Sequence, residues 1–357
     1  MTELTPFLKD LLTAPGLSGY EDPAAAIISA KWAPLVHEIG RGKLGSLHGL
    51  RRGSAKSPRP SLMVAVHMDA IGLMVTGISD GFLRLTQVGG VDPRVLPGAL
   101  VTVYATGKGE PVPIPGVVVL PQPQLLPVEI GLNPVPLEYL FLDTGLPPGR
   151  VADLVHVGDV ISYAQPPFEL SGGTIAGHTL DNRVSVAALT LCLEELQSRP
   201  HAWDVWAVAT TQEEIGTIGA TGSTFELHPK IAIAMDVTHA KGPGAADWQT
   251  SPLGKGPVLC MGPNIHPALH KAVKSVADRL EIPCGLEYAP RHTGTDGFAT
   301  QVVAEGIPTL VLDIPLRYMH TPVEMVAIKD IQRAGRLLAE FIAGLELDFM
   351  DKIIWDD

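Results

Sequence analysis

The apolar positions change their period three times along the chain. Phe7, Leu11 and Leu12 recur at helical spacing until Ala14-Pro15-Gly16 breaks the pattern, which predicts a first helix. Asp22-Pro23 reads as the cap of a second helix running through Ile27, Ile28 and Trp32. Residues 61–66 are then apolar without a break after Ser61. So short a run suits a strand buried on both faces, the usual state of a parallel strand covered by helices. From about 71 to 166 the pattern becomes short β-like runs with no amphipathic helix of any length. Residues 73–76 and 82–85 flank Ser79-Asp80-Gly81, a hairpin signal. Gly89-Gly90, Gly107-Lys108-Gly109 and Gly158-Asp159 punctuate further runs, and Pro111, Pro113, Pro115, Pro121, Pro123 and Pro127 suit loops and edge strands.

After Pro167 helices and strands alternate. Helices are predicted over 182–196, 266–280 and 328–345, and strands over 204–211, 231–235 and 308–314. The fold class is therefore α/β, helices flanking a central sheet, with a small all-β insert. Residues 1–70 plus 167–357 form the larger unit and 71–166 the insert, joined through Ser171-Gly172-Gly173.

Composition narrows the function. Apolar residues are 46% and charged residues 18%, enough to bury a large core. Lys and Arg number 26 against 38 Asp and Glu, a net charge of −12, which excludes nucleic acid as a partner. No apolar run reaches the roughly 18–20 residues that span a bilayer, so no membrane partner is expected. The start lacks a basic segment followed by an apolar one. Cys192, Cys260 and Cys284 are widely spaced, with no disulfide or metal pattern, and a cytoplasmic location is expected.

The chemistry lies at predicted strand ends, where open α/β sheets gather their sites. His67 and Asp69 follow the first apolar strand, Glu213 and Glu214 the strand at 204–211, and Asp236 the strand at 231–235. His320 lies beyond 308–314, and Asp181 opens a helix. If these ends converge, five carboxylates (Asp69, Asp181, Glu213, Glu214, Asp236) share one cleft. They raise one another's pKa and oppose folding unless a cation offsets them. His67 and His320 add nitrogen donors, and a mixed set of this kind suits Zn²⁺ or a similar first-row ion, not Ca²⁺ or Mg²⁺. With Asp181, Glu214 and Asp236 as anionic ligands, two divalent ions balance the charge to within one unit. Asp181 has two oxygens and can bridge ions about 3.5–4 Å apart. Asp69, on the same side of an extended chain as His67, can accept the second imidazole N–H. Glu213 is left free to take a proton from water.

Six segments resemble the M42 family of metallopeptidases, the tetrahedral and glutamyl aminopeptidases. They are His67-Met68-Asp69, Gly177-His178-Thr179-Leu180-Asp181-Asn182-Arg183, Gln212-Glu213-Glu214-Ile215-Gly216, Met235-Asp236-Val237-Thr238, Gly294-Thr295-Asp296-Gly297 and Arg317-Tyr318-Met319-His320-Thr321-Pro322-Val323-Glu324. The resemblance implies a mixed sheet of the zinc-exopeptidase type and two divalent ions per subunit, Zn²⁺ or Co²⁺. One ion is held by His67, Asp181 and Asp236, the other by Asp181, Glu214 and His320. It makes Glu213 the general base, Asp69 the residue that orients His67, and the Asp181–Asn182 peptide cis. It further implies removal of N-terminal residues from peptide substrates. The insert becomes a PDZ-like dimerisation module, and the chain a homo-oligomer whose dimers build dodecamers. Thr217-Ile218 departs from the Leu-Arg often found there, and 117–127 lacks basic residues and histidines common in relatives; both bear on specificity and assembly, not on the metals.

His292, Thr295 and Asp296 are candidates for substrate contact, with a loop-fixing role as the alternative for His292. His178 and His239 flank Asp181 and Asp236 outside the ligand set. A metal-dependent deacylase or carboxypeptidase is a second reading and would need a cationic group for a substrate carboxylate. A glycoside hydrolase is disfavoured, because Glu213 and Glu214 are adjacent and neighbours on an extended chain face opposite ways.

Overall fold

The unbroken apolar run becomes the strand Ser61–His67, buried on both faces. Leu62, Val64 and Val66 enter the main core, while Met63 and Ala65 join a smaller cluster with Val208, Ala232 and Ile307. This alternation is the two-residue period of a strand covered on both sides. The computed structural model describes residues 4–107, 109–131 and 133–353. Lys108 of the predicted Gly107–Gly109 turn, and residues 1–3 and 354–357 of the larger unit, lie outside the described residues.

Four parallel strands form the centre of a mixed sheet, in the order Asp204–Thr210, Ser61–His67, Ile231–His239 and Thr309–Arg317. Antiparallel strands extend both ends: Leu47–Arg51 and Glu38–Arg41 on one side, Glu324–Ala327, Thr174–Gly177 and Phe168–Leu170 on the other. Val258–Met261 also pairs with Thr309–Arg317 and carries Gly285–Tyr288. The helices Leu4–Thr13, Asp22–Trp32, Leu180–Leu196 and Ile328–Ala343 cover the main core. Ile218–Leu227 and Asp296–Gln301 lie on strands of the opposite face. Within the buried helix Leu180–Leu196, Arg183 donates to the carbonyls of Leu11, Ala14 and Met68. That guanidinium ties the end of the first helix to the end of the His67 strand.

Six strands between residues 72 and 163 close into a barrel: Gly72–Ser79, Phe82–Val88, Phe141–Asp143, Val112–Val119, Leu100–Ala105 and Val160–Tyr163. Leu73, Val75, Leu83, Val101, Val103 and Ile161 fill a core separate from that of the sheet. The Ser79-Asp80-Gly81 hairpin pairs as expected.

Several expectations need correction. The helix Pro148–Leu154 stands in the stretch predicted to have none; at seven residues it is too short to display a helical period. Asp22 does not cap the second helix but lies inside it, after Glu21, whose carboxylate serves other partners. The strands at 231 and 309 run on to His239 and Arg317, so Asp236 lies within a strand rather than after one. The three cysteines are free. No helix among the described residues is long and apolar enough to cross a membrane.

Candidate active site and metal centre

His67 closes its strand in register with Thr210, and Asp236 lies on the next parallel strand. Asp181 arrives from the N-terminal end of Leu180–Leu196, where the Asp181–Asn182 peptide is cis, as the resemblance implies. Asn182 Nδ2 donates to the Met235 carbonyl at 2.8 Å, fixing that helix end against the Asp236 strand. His320 sits in the turn after Thr309–Arg317 with a positive φ of 63°.

Asp181 is the centre of the cluster. Its Oδ1 is 3.1 Å from His67 Nε2, and its Oδ2 is 3.4 Å from His320 Nε2. His67 Nε2 also lies 3.7 Å from Asp236 Oδ1, and His320 Nε2 lies 3.4 Å from Glu214 Oε2. Nitrogen and oxygen ligands at 2.0–2.1 Å on a tetrahedral ion stand about 3.3 Å apart, close to these separations. One donor atom each of His67, Asp181 and Glu214 falls within 4.8 Å of the others.

The hydrogen bonds strengthen the case for cations. His320 Nδ1 faces the Gly90 carbonyl at 3.0 Å, and His67 Nδ1 faces the Asp69 carbonyl at 3.2 Å and Asp69 Oδ1 at 3.4 Å. Both partners are acceptors, so each imidazole carries its proton on Nδ1. Each Nε2 of a neutral ring then turns a lone pair toward carboxylate oxygens. Those groups repel unless the rings gain a second proton or a cation lies between, and the donor set fits divalent metal ions.

The pKa directions describe the same strain. Burial raises Glu213 to about 9, with Asp236, Asp296 and Asp181 adding to it. Burial, then Asp181, pushes Glu214 well above the carboxylate range, and burial raises Asp236. Asp181 is held far below that range, because His320 and His67 outweigh its burial. Burial acts to lower His67, but Asp181, Asp236 and Asp69 together raise it.

A second layer of acids fixes these groups. Asp69 accepts from Ser18 Oγ and from the backbone N–H groups of Glu213 and Glu214 at 3.1 and 3.2 Å. Glu324 is 1% exposed; its Oε2 accepts from Asp181 N at 3.1 Å and its Oε1 from His320 N at 2.9 Å. Glu21 accepts from Gly19 N and Gln212 N, bracing the loop before Glu213. Gly89 and Gly90, from the barrel, close the site: added Cβ atoms would lie 3.3 Å from Glu214 Cβ and 2.8 Å from His320 Nδ1.

Sequence reasoning missed Glu324, Glu21, Ser18 and Gly90. Glu324 left a trace as the last residue of the His320 segment, and Gly90 only as part of a turn signal. His67, Asp181, Glu214, Asp236, His320, Asp69 and Glu213 do come together. Asp296 also turns inward, accepting from Thr210 Oγ1 at 2.5 Å, and burial raises it to about 7. Thr295 instead caps the helix Asp296–Gln301 by accepting from Gly297 N, and His292 packs its ring on Phe298. His178 packs edge-on against Tyr163, and burial, then Arg183, lowers it to about 3. His239 is exposed at its strand end.

A mixed α/β sheet presenting such a cluster fits a hydrolase of the metallopeptidase class. The model of the M42 glutamyl aminopeptidase family matches residues 45–337, and the chain belongs to that family; it is a peptide hydrolase. The lysyl aminopeptidase of Pyrococcus furiosus is 35% identical over 347 residues, covering 96% of this chain and 98% of its own. The crystal structure of a TET aminopeptidase from a marine-sediment thaumarchaeon superposes with a TM-score of 0.90 at 28% identity, covering 99% of each chain. The TET1 peptidase of Pyrococcus horikoshii, which assembles into a tetrahedron or a large octahedral shell, gives 0.82 at 28% identity, covering 96% of this chain and all of its own. Peptidases of the M42 family depend on metal ions.

Proposed function

We propose that the chain removes N-terminal residues from peptides with two divalent ions, Zn²⁺ or Co²⁺. The first is held by His67, Asp181 and Asp236, the second by Asp181, Glu214 and His320. The observation that carries this reading is Asp181, one oxygen turned to each histidine at 3.1 and 3.4 Å. Bound there, divalent ions would supply a water of lowered pKa and a Lewis acid for the scissile carbonyl. Glu213, 3.9 Å from His67 Nε2, takes the proton of the attacking water and delivers it to the leaving amine. Asp69 holds the His67 tautomer and the Glu213-Glu214 backbone. Of the candidate contacts, Asp296 acts on the substrate side of the cluster, and His292 and Thr295 shape the loop before it.

Residues 1–70 plus 167–357 form the catalytic unit, and 71–166 form a PDZ-like module through which two copies pair. The insert exposes Leu100 on a barrel strand and Leu125 and Val128 in the loop between two such strands, at 66%, 72% and 92%, which supports a role in assembly. The tetrahedral form of the Pyrococcus horikoshii relative supports a homo-oligomer built from such dimers.

A panel of aminoacyl chromogenic amides, assayed with and without chelator and again with each metal restored, tests the function. Hydrolysis of free-amine amides that stops with chelator and returns with Zn²⁺ or Co²⁺ is expected. Turnover that survives the chelator, or a preference for N-acetylated amides, refutes it.

A further inference from the structure

Asp313 takes no part in the chemistry above. It lies in Thr309–Arg317, in register with Asp236 on the neighbouring parallel strand, so both side chains leave the same face of the sheet. On that face the helix Asp296–Gln301 sits over Ala234 and Val311, two residues earlier on each strand. A Cβ at Gly297 would be 3.5 Å from Ala234 Cβ and 2.6 Å from Val311 Cγ2. The start of the helix therefore covers the strands one pleat short of Asp236 and Asp313, and Asp313 stands beside Asp236, which faces His67 Nε2 at 3.7 Å. Asp313 is 3% exposed, and its Oδ1 has no hydrogen-bond partner. Burial, then the acids Glu287 and Asp236, pushes its pKa well above the carboxylate range. Among the described residues no lysine, arginine or histidine forms an ion pair with it.

A buried carboxylate with neither donor nor counter-ion is costly, and chains normally supply one or the other. We infer that Asp313 is a specificity residue: it forms the acidic end of the subsite for the substrate's first side chain, gives up its proton as a cation enters, and selects lysine or arginine there. This rests on the aminopeptidase reading above. On this inference a substrate whose first carbonyl reaches the Asp181–Glu213 centre would lay its side chain beside Asp236, and the next strand, about 4.8 Å away, carries Asp313. An ammonium or guanidinium supplies charge-assisted hydrogen bonds to it. An apolar side chain leaves Asp313 buried and unpaired, and an acidic one adds repulsion.

The test uses the zinc-loaded protein with lysyl, norleucyl and glutamyl 4-nitroanilides, and calorimetry of free lysine and norleucine. Norleucine keeps the aliphatic chain and lacks the ammonium, so the comparison isolates the charge. We expect kcat/KM for the lysyl amide, and affinity for lysine, each at least about tenfold above the norleucine counterpart. Asp313→Asn should shrink both ratios to within about threefold while metal content stays at the wild-type level. Equal handling of lysine and norleucine by the wild type overturns the inference. So does an Asp313→Asn protein that loses metal, or that loses both substrates alike. Should that variant not fold, Asp313→Ser replaces it under the same criteria, and a lysine preference that survives either substitution overturns the inference. Silence on all amides with lysine still bound tenfold more tightly defeats the aminopeptidase reading and spares the pocket; turnover without a lysine preference does the reverse.

Discussion

Glu213 and Glu324 are both buried acids beside the same cluster, and their neighbours assign them opposite work. The oxygens of Glu324 are committed to the amides of Asp181 and His320. Glu213 is anchored by its own backbone N–H to Asp69, and its carboxylate approaches His67 only at 3.9 Å. Glu213→Gln should therefore keep both metals by elemental analysis and lose at least about a hundredfold in kcat; near-normal turnover would remove it as the base. Glu324→Gln turns an NH₂ group toward a backbone N–H. Its metal affinity, read by competition with a chelator, should fall about 10- to 100-fold, the usual effect of losing a group that orients ligands. An unchanged affinity would leave Glu324 a merely structural acid. The sequence exposes the first role and hides the second for a physical reason. His67 and Asp69, or Glu213 and Glu214, are close along the chain, and their chemistry is visible locally. Glu324 meets Asp181 across 143 residues, and only the packed sheet brings them together.

At the scale of elements, the same contrast separates the strands that periodicity reveals from those it does not. Ser61–His67 is apolar without a break from Leu62 to Val66, with helices on both faces. Glu38–Arg41 carries charge at each end and a glycine, and Leu47–Arg51 includes a histidine, a glycine and an arginine. Glu38–Arg41 is largely exposed, while Leu47–Arg51 is buried by its neighbours, with His48 paired to Ser223 and Arg51 donating to the carbonyls of Leu35 and Leu196. The barrel was legible as β structure, but its reach into the site was not. Gly89-Gly90 reads as a turn, yet the Gly90 carbonyl sets the His320 tautomer. Gly90→Ala would bring a methyl group to 2.8 Å from His320 Nδ1 and 3.0 Å from Cε1, so the ring must shift. The expected result is a protein with unchanged circular dichroism and at least about tenfold weaker binding of one of its two metals. Two metals bound with wild-type affinity would show that the barrel does not govern His320.

For the whole molecule, ion binding and folding are linked through the crowded acids. In the metal-free protein Glu213 holds its proton to about pH 9, against an ordinary value of 4.5, and Asp296 to about 7, against 3.8. Below about pH 4 the folded and unfolded chains both carry these protons, and nothing is lost. As pH rises toward 9 the unfolded chain releases protons that the folded chain keeps, so stability declines. His67, raised in the folded state, acts in the same direction; Asp181, depressed by the histidines, opposes it only at acid pH. Bound divalent ions remove the repulsion, and at a hundredfold excess over Kd they add about 2.7 kcal/mol by mass action. The Tm of the zinc-loaded protein should therefore exceed that of the chelated protein by a margin that widens from pH 5 to pH 9. The overall charge of −12 also destabilises the fold, but salt screens that surface term and screens buried pairs much less. The widening must then survive high salt. A margin that stays constant with pH, or that collapses when salt is added, would mean that the buried acids do not couple metal binding to the fold.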